Sequence, residues 1–333
     1  MASRPSPSHL AAVLPLDNRR HWWLPLAAAA WGATVCLLYQ HAVPTDRPSI
    51  IEFWTASHAV LHGQSPYAAV RALHVTRYPY YYPYPTALLM APLALVPWRV
   101  AWVLWSALGT GLLCLAGLRI DRGFIPVLFS GALLDALTQG AITPVLLAAA
   151  VLPAIAPLLI LKPTIGAVLW TWRPSRWAVV GGLALVAVSL LLSPAWPGEW
   201  REALRGAPHQ PPVLRPGGFL LLLAWLRWRT PEGRLLGLLA LMPQTVGAYE
   251  MLPLFLLARS RREGWLLALL TFAAMEIKAL IGSGATLEAR AATEWPAYLL
   301  AVWLPALLLV LVRPTASPGE PAATEPAATA PAV

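Results

Sequence analysis

Residues 22–40, WWLPLAAAAWGATVCLLYQ, form an apolar run without a charged side chain, and a polar segment follows them at residues 41–85. A run of this length can cross a bilayer as one helix, because about 20 residues span its ~30 Å hydrocarbon core. The whole chain is 58% hydrophobic and 12% charged, about half the charge of an average soluble domain. So little charge cannot cover a water-facing surface, which indicates an integral membrane protein.

Apolar runs recur along the chain and predict an all-α, polytopic transmembrane protein with about ten spans. The predicted spans are 22–40, 99–118, 124–138, 141–160, 177–193, 218–229, 235–247, 249–258, 265–281 and 297–312. Several are shorter than a full crossing requires, which predicts broken or re-entrant helices that line a protein cavity. The run 163–172 and the proline-bounded run 86–97 are expected to be of this kind.

The charged residues predict the domain organisation and the orientation. Residues 1–21 carry three arginines before the first span, which predicts a cytoplasmic N-terminus in the cell membrane. Residues 22–313 then form the membrane domain, with a structured outer loop at 41–98. The tail 314–333 is rich in Ala, Pro and Thr and is expected to be disordered and cytoplasmic.

This ten-span arrangement has a consequence for two charged residues in apolar surroundings. It places Lys162 at the cytoplasmic end of a span and Glu250 at an outer turn, so the two are expected on opposite sides of the membrane. Ionisable groups at such depths are costly and usually face a cavity.

The composition also narrows the classes of partner and cofactor. The net charge of +9 is explained by membrane orientation and by contact with anionic membrane lipids, so we expect no nucleic-acid partner. Cys36 and Cys114 both lie inside apolar runs and imply no disulfide framework. No metal-ligand spacing occurs, and no metal or other cofactor is expected.

The polar segment predicts a helix over residues 50–62. Ser49 is placed as its N-cap, Glu52 stands at the capping-box spacing, and Gly63 is suited to end the helix. The segment closes on YPYYYPYP, residues 78–85, which predicts a stiff, extended wall because proline disfavours a regular helix. Its aromatic faces suit either a sugar ring or the membrane–water interface.

Several short motifs follow one another in this segment. They are Glu52-Phe53-Trp54, Leu61-His62-Gly63, Pro66-Tyr67 and Tyr82-Pro83-Tyr84-Pro85, then Pro92-Leu93 and Val96-Pro97. Shorter matches further along are Gln139-Gly140, Leu161-Lys162-Pro163 and Tyr249-Glu250. In this order the motifs resemble glycosyltransferase family 87, which belongs to the GT-C superfamily of polytopic enzymes.

The resemblance implies a GT-C-like fold and a reaction at the outer face. A sugar such as mannose would pass from a polyprenyl-phosphate donor to a lipid or glycan acceptor. Glu52 would act as the general base, although the family normally has Asp at this position. One alternative is that Glu52 caps the helix and is not the base. Another is that Asp46 supplies the base, although Asp46 lies between two prolines, as a turn residue would.

The remaining candidate residues divide into two groups. Arg71, Arg77 and His58 are assigned to the donor phosphate, with contact to lipid head groups as the alternative for the arginines. The residues assigned to the sugar or acceptor are Tyr67, Tyr82, Tyr84, Gln139 and Glu250. Two other functions stay open: a transporter or flippase of a lipid-linked substrate, and a catalytically degenerate member of the same fold.

Overall fold

In the computed structural model, the described residues are 21–44, 48–73, 79–120, 124–205, 207, 209–282 and 287–314. Within them every regular element is a helix, as predicted, apart from one isolated antiparallel bridge between Gln210 and Gln244. Asp46 and Arg77 lie outside this part of the chain, as do all but one residue of the predicted N-terminal segment and of the predicted tail.

The α-helices, in chain order, are α1 (Trp23–Ala42), α2 (Ile50–Leu61), α3 (Pro66–Ala72), α4 (Tyr84–Met90), α5 (Trp98–Ile120), α6 (Gly131–Gln139), α7 (Thr143–Val151), α8 (Pro163–Trp172), α9 (Arg176–Leu192), α10 (Trp196–Leu204), α11 (Pro231–Leu241), α12 (Arg261–Ile281), α13 (Leu287–Tyr298) and α14 (Leu304–Leu311). The 3₁₀ helices are Ala91–Leu95, Ile125–Phe129, Pro153–Leu161, Pro212–Leu214, Gly218–Arg227 and Ala248–Leu257. A π-helical turn, Leu299–Trp303, joins α13 to α14.

Four helical stretches in the described part of the chain are long and apolar enough to cross a membrane. They are Trp23–Ala42, Trp98–Ile120, Arg261–Ile281 and Ala291–Leu311. The pairs α6 with α7 and α9 with α10 are bent by 117° and 105°, and they raise the number to six if each pair is one span. The helical, membrane-spanning character is therefore supported, whereas the ten spans stay a prediction.

Two predicted spans are too short to cross alone. The structure has 3₁₀ helices of 10 residues at Gly218–Arg227 and Ala248–Leu257. At ~2 Å per residue each is about 20 Å long, against a hydrocarbon core of ~30 Å. Ala248–Leu257 is nevertheless deeply buried, as expected for irregular helix that is covered by protein rather than by lipid.

Helix α1 packs along α5 through small residues. A Cβ on Gly32 would lie 2.4 Å from Thr110 Oγ1, and one on Gly111 would lie 3.2 Å from the Ala29 side chain. Small residues let two membrane helices approach closely enough for their backbones to touch. Most other side chains of α1 are exposed, whereas α5 is largely buried, so α5 stands between α1 and the protein core.

The segment predicted as one span at 141–160 is two helices. Helix α7 ends at Val151, and the 3₁₀ helix Pro153–Leu161 follows, because proline has no N–H with which to continue α7. The start of α7 packs at Gly109 of α5, and its end packs at Ala116, further along the same helix.

The 3₁₀ helix then returns toward the start of α7. Gly140, just before α7, lies against Ile50 at the start of α2. The C-terminal end of the 3₁₀ helix lies at the same side of the molecule. There, Thr86 donates a hydrogen bond of 2.8 Å to the carbonyl of Leu161, and Lys162 shares a cavity with Glu52. A single crossing over 141–160 is therefore wrong, and Lys162 lies at the same end of the molecule as Glu52.

The polar segment folds partly as predicted. Helix α2 covers Ile50–Leu61, and Gly63 follows it at φ +66°, a conformation that costs glycine little and other residues much. The predicted N-cap interaction of Ser49 is wrong, because Ser49 has helical backbone angles and its side chain makes no capping hydrogen bond.

Among its described residues, the Tyr-Pro segment is non-helical only as far as Pro83. Residues 79–83 form no helix, as expected, but Tyr84 begins α4. Pro85 stands in the first turn of α4, where its missing N–H is not needed. The predicted re-entrant hairpin at 86–97 is the rest of α4 followed by the 3₁₀ helix Ala91–Leu95.

Candidate functional site

One cavity of about 370 Å³ gathers residues that are far apart in the sequence. Its walls come from the start of α2, the Tyr-Pro segment, the start of α8, helix α10 with the loop after it, and the loop before Ala248–Leu257. The lining residues are Ser49, Glu52, Tyr81, Tyr82, Pro83, Lys162, Pro163, Thr164, Trp200, Leu204, Ala207, His209, Pro243, Gln244, Thr245 and Tyr249. We call it the Glu52 cavity.

Glu52 lies in the first turn of α2 and is only 5% exposed. The same turn brings Phe53 against Tyr80 and Tyr82, with ring centroids 6.2 Å and 4.6 Å apart. This packing holds α2 against the Tyr-Pro segment. The N-terminal end of a helix carries a partial positive charge, which favours the ionised form of a carboxylate placed there.

Lys162 and Glu250 form an ion pair beside Glu52. Lys162 precedes α8, and Glu250 stands in the first turn of Ala248–Leu257, 88 residues away in sequence. Glu250 is 2% exposed and also accepts a hydrogen bond of 2.7 Å from Thr245 Oγ1. The Lys162 ammonium lies 5.9 Å from the centre of the Tyr249 ring.

This ion pair corrects the predicted topology. Lys162 and Glu250 were expected on opposite sides of the membrane, and they are in contact instead. The physical cause is the break after α7, which turns the chain back before Lys162. Glu250, assigned to the sugar or acceptor, lies behind Lys162 and is not among the residues that line the Glu52 cavity.

Helix α6 fixes the start of the 3₁₀ helix Ala248–Leu257, which carries Tyr249. The backbone N–H of Tyr249 donates a hydrogen bond of 3.0 Å to Asp135 Oδ2. Gln139, four residues further along α6, is half-buried but does not line the cavity. The structure thus gives Asp135, rather than Gln139, the contact with this part of the site.

The loop after α10 contributes two basic residues that the sequence did not single out. His209 lines the cavity with its ring edge-on to Tyr81, at a centroid distance of 4.9 Å. Burial, with the nearby charge of Lys162, lowers the pKa of His209 to about 4. Its imidazole is therefore neutral at pH 7 and can donate or accept a hydrogen bond.

Arg215 supports the same loop from outside the cavity. Its guanidinium donates to the carbonyls of Gln210 and Gln244, the latter at 2.7 Å, and packs 5.4 Å from the Trp295 ring. Burial lowers the pKa of Arg215 to about 10, which leaves it charged at pH 7. The one sequence signal for this region is the concentration of arginines between residues 194 and 217.

Helix α10 closes one side of the cavity over the Tyr-Pro segment. Trp200 Nε1 donates a hydrogen bond of 2.9 Å to the carbonyl of Tyr81. Ser65, which caps α3, donates one of 2.5 Å to Glu199. An aromatic wall of Tyr81, Tyr82 and Trp200 results.

The tyrosines assigned from the sequence differ in their position relative to the Glu52 cavity. Tyr82 lines the cavity, and buried Tyr67 stands behind it, donating a hydrogen bond of 3.1 Å to the Tyr82 carbonyl. Tyr84 is 5% exposed at the start of α4 and does not line the cavity. Burial raises the pKa of Tyr67 and Tyr84, so both phenols stay protonated.

Two of the three assigned phosphate ligands, His58 and Arg71, are not brought to the cavity, and Arg77 lies outside the described residues. His58 stands six residues after Glu52, about 240° around α2, where it is exposed and stacks between Trp54 and His62. Arg71 is exposed on α3. In the described part of the chain, the basic side chains that line the cavity are Lys162 and His209.

The geometry offers a carboxylate, a lysine and an aromatic wall around one space. Among the described residues, no group of three His, Cys, Asp or Glu side chains converges as a metal site would require. Compared with protein-family models, with curated proteins and with solved structures, the chain matches none of them.

Proposed function

We propose that this protein is a membrane glycosyltransferase that moves a sugar from a polyprenyl-phosphate donor to a lipid or glycan acceptor. The observation that supports it most is the position of Glu52, whose buried carboxylate lines the same cavity as Lys162. One group can take a proton while the other receives a leaving phosphate. The resemblance of the polar segment to glycosyltransferase family 87 points the same way.

In the proposed reaction, Glu52 accepts the proton of the acceptor hydroxyl. The acceptor oxygen forms a bond to the anomeric carbon of the sugar from one face. The bond from that carbon to the phosphate oxygen breaks on the opposite face, and its electron pair leaves with the polyprenyl phosphate. A base of this kind must lie within ~3 Å of the proton it takes, which makes the reach of the Glu52 side chain critical.

Lys162 and the start of α8 are the proposed phosphate site. Pro163 and Thr164 begin α8 at the cavity wall. The first N–H groups of a helix lack intrahelical partners and favour an anion. Glu250 would keep the Lys162 ammonium in place between turnovers, so we assign Glu250 a positioning role.

Tyr81, Tyr82 and Trp200 are the proposed sugar-binding wall. Aromatic faces pack on the apolar side of a sugar ring, and indole or phenol groups bond to its hydroxyls. Neutral His209, edge-on to Tyr81, would add one more hydrogen-bonding group at the same side.

The test is sugar transfer by Glu52 variants in reconstituted membranes with labelled polyprenyl-phosphate-mannose, and then with other polyprenyl-phosphate sugars. Glu52→Gln should lower the transfer rate by roughly 10²- to 10⁴-fold, the usual contribution of a general base. Glu52→Asp, which keeps the carboxylate but shortens its reach, should keep part of the activity. Glu202→Gln is the matched control, because Glu202 lies exposed on α10.

The proposal fails if Glu52→Gln folds and transfers sugar as the unmodified protein does. It also fails if no sugar is transferred from any polyprenyl-phosphate donor while the lipid itself crosses the bilayer at a rate that depends on this protein. That second outcome would support the transporter or flippase.

A further inference from the structure

A second, open groove of about 230 Å³ lies on the outer surface of the helices next to the Glu52 cavity. It runs between α8, α9 and the 3₁₀ helix Pro153–Leu161. Its floor and sides include Pro163, Gly166, Ala167, Trp170, Ala178 and Val179. None of the described residues that line it is charged, and we call it the α8–α9 groove.

Close helix packing forms this groove. A Cβ on Gly166 would lie 2.0 Å from the Leu159 carbonyl oxygen, and one on Gly181 would lie 2.3 Å from Pro157. These contacts hold α8 and α9 tightly against the 3₁₀ helix. Where Ala167 and Ala178 follow, the small side chains leave a channel between them.

The groove faces the side of the molecule that meets lipid. Val180 and Leu183 on the neighbouring face of α9 are 58% and 65% exposed. Exposed aliphatic side chains on a membrane helix indicate contact with hydrocarbon chains. A chain in the α8–α9 groove would therefore pass directly from the bilayer into the protein.

The groove and the Glu52 cavity share one wall residue. Pro163 lines both, and Lys162 precedes it. From Pro163 to Trp170, helix α8 spans about 10 Å, along which the surroundings change from an ion pair to apolar side chains. A molecule with a charged head and a hydrocarbon tail matches this change.

We propose that the α8–α9 groove binds the part of a lipid phosphate's isoprenoid tail nearest to its head group, while Lys162 holds the phosphate. The proposal rests on the proposed donor. It adds the route by which the donor enters, between α8 and α9, and a requirement for a hydrocarbon chain attached to the phosphate. It makes Ala167 and Ala178 residues that determine tail specificity.

Photo-crosslinking tests this without any sugar transfer. The probe is an isoprenoid monophosphate with a diazirine in its first isoprene units, added to the full-length protein in lipid nanodiscs. We expect labelled peptides from α8 and α9. Labelling confined to other helices, or equal labelling by a diazirine-bearing two-chain phosphatidic acid, overturns the proposal.

Variants that fill the groove give a second, quantitative readout. Ala178→Phe should weaken binding of a long-chain isoprenoid phosphate by roughly tenfold, as one misfit in an apolar pocket does, and leave a one-carbon analogue, methyl phosphate, unaffected because it has no chain to enter the groove. Ala184→Phe is the matched control, since Ala184 is exposed on the same helix. Ala167→Leu repeats the test from α8 if Ala178→Phe does not fold.

The two proposals fail in different ways. Crosslinking and a tail-length effect without sugar transfer would leave the groove assigned and remove the glycosyltransferase. Sugar transfer with equal affinities for Ala178→Phe, Ala167→Leu and Ala184→Phe would keep the enzyme and remove the groove.

Discussion

Two lysine–glutamate pairs, each with a buried glutamate, have the same chemistry and different surroundings. Lys162–Glu250 borders the Glu52 cavity, whereas Lys278–Glu294 joins α12 to α13, with an N–O distance of 3.1 Å. Glu250 and Glu294 are almost completely buried, at 2% and 1% exposure.

The comparison shows that a buried charge does not by itself identify a site. A charge in the membrane interior needs a partner wherever it stands, because removing it from water is costly. Lys278–Glu294 meets that need and holds two helices together. Lys162–Glu250 also meets it, but Lys162 additionally faces a cavity that contains a second carboxylate, Glu52.

The largest expected difference between the pairs is in the rate of sugar transfer. Lys162→Met should lower kcat/KM by roughly 10²- to 10³-fold, the typical cost of removing one group that stabilises developing charge. Lys278→Met should leave kcat/KM unchanged per folded molecule. Transfer assays normalised to the folded fraction in size-exclusion profiles measure both.

Double variants separate loss of chemistry from loss of fold. Lys162→Met/Glu250→Gln removes both charges of the first pair, and its activity should stay low because the phosphate ligand is still missing. Recovery of full activity in that double variant would mean that Lys162 serves only to neutralise Glu250.

The next largest effect is on stability, and it concerns the second pair. Lys278→Met leaves the Glu294 carboxylate buried without its ammonium partner, which should lower the free energy of unfolding by about 3 kcal/mol. Lys278→Met/Glu294→Gln should restore most of it. Thermal unfolding in detergent compares the variants. If Lys278→Met were as stable as the unmodified protein, a structural role for this pair would be contradicted.

The smallest expected effect is on the pH dependence of stability, because His209 lies beside the first pair. The folded protein lowers the pKa of His209 from 6.5 to about 4, so the unfolded chain binds more protons between these values. The stability due to neutral His209 is then present above pH 6.5 and is lost as the pH falls toward 4.

Unfolding temperatures at pH 7 and pH 5 test this expectation. His209→Gln should lose fewer degrees between the two pH values than the unmodified protein does. His58→Gln is the control, since His58 is exposed on α2. Equal losses in all three proteins would mean that His209 is not buried next to Lys162.

Much of the helical architecture was predictable from local pattern. Long apolar runs predicted α1, α5 and α12 within a few residues, because such a run in a membrane protein has to satisfy its backbone within one helix. Gly63 at the end of α2 and the non-helical residues 79–83 were predictable for a similar reason. Glycine adopts the left-handed backbone that other residues avoid, and proline fixes φ and removes an N–H donor, wherever they occur.

The candidate site was predictable only in part. Glu52 and Tyr82 were identified from the sequence and line the cavity. His58 and Arg71 were assigned to the phosphate because they are near Glu52 in sequence, yet the turn of α2 and the start of α3 direct them elsewhere. His209 was missed because it comes from a loop more than 150 residues away.

The sequence by itself determined that this chain is helical and apolar enough for a membrane, and that its polar residues concentrate before α5. Only the tertiary structure decided that Lys162 meets Glu250 and faces Glu52. That outcome depends on one break between α7 and Pro153–Leu161, which reverses the chain and cannot be read from hydropathy. Local pattern sets each helix, whereas the pairing of distant charges follows from how the helices pack.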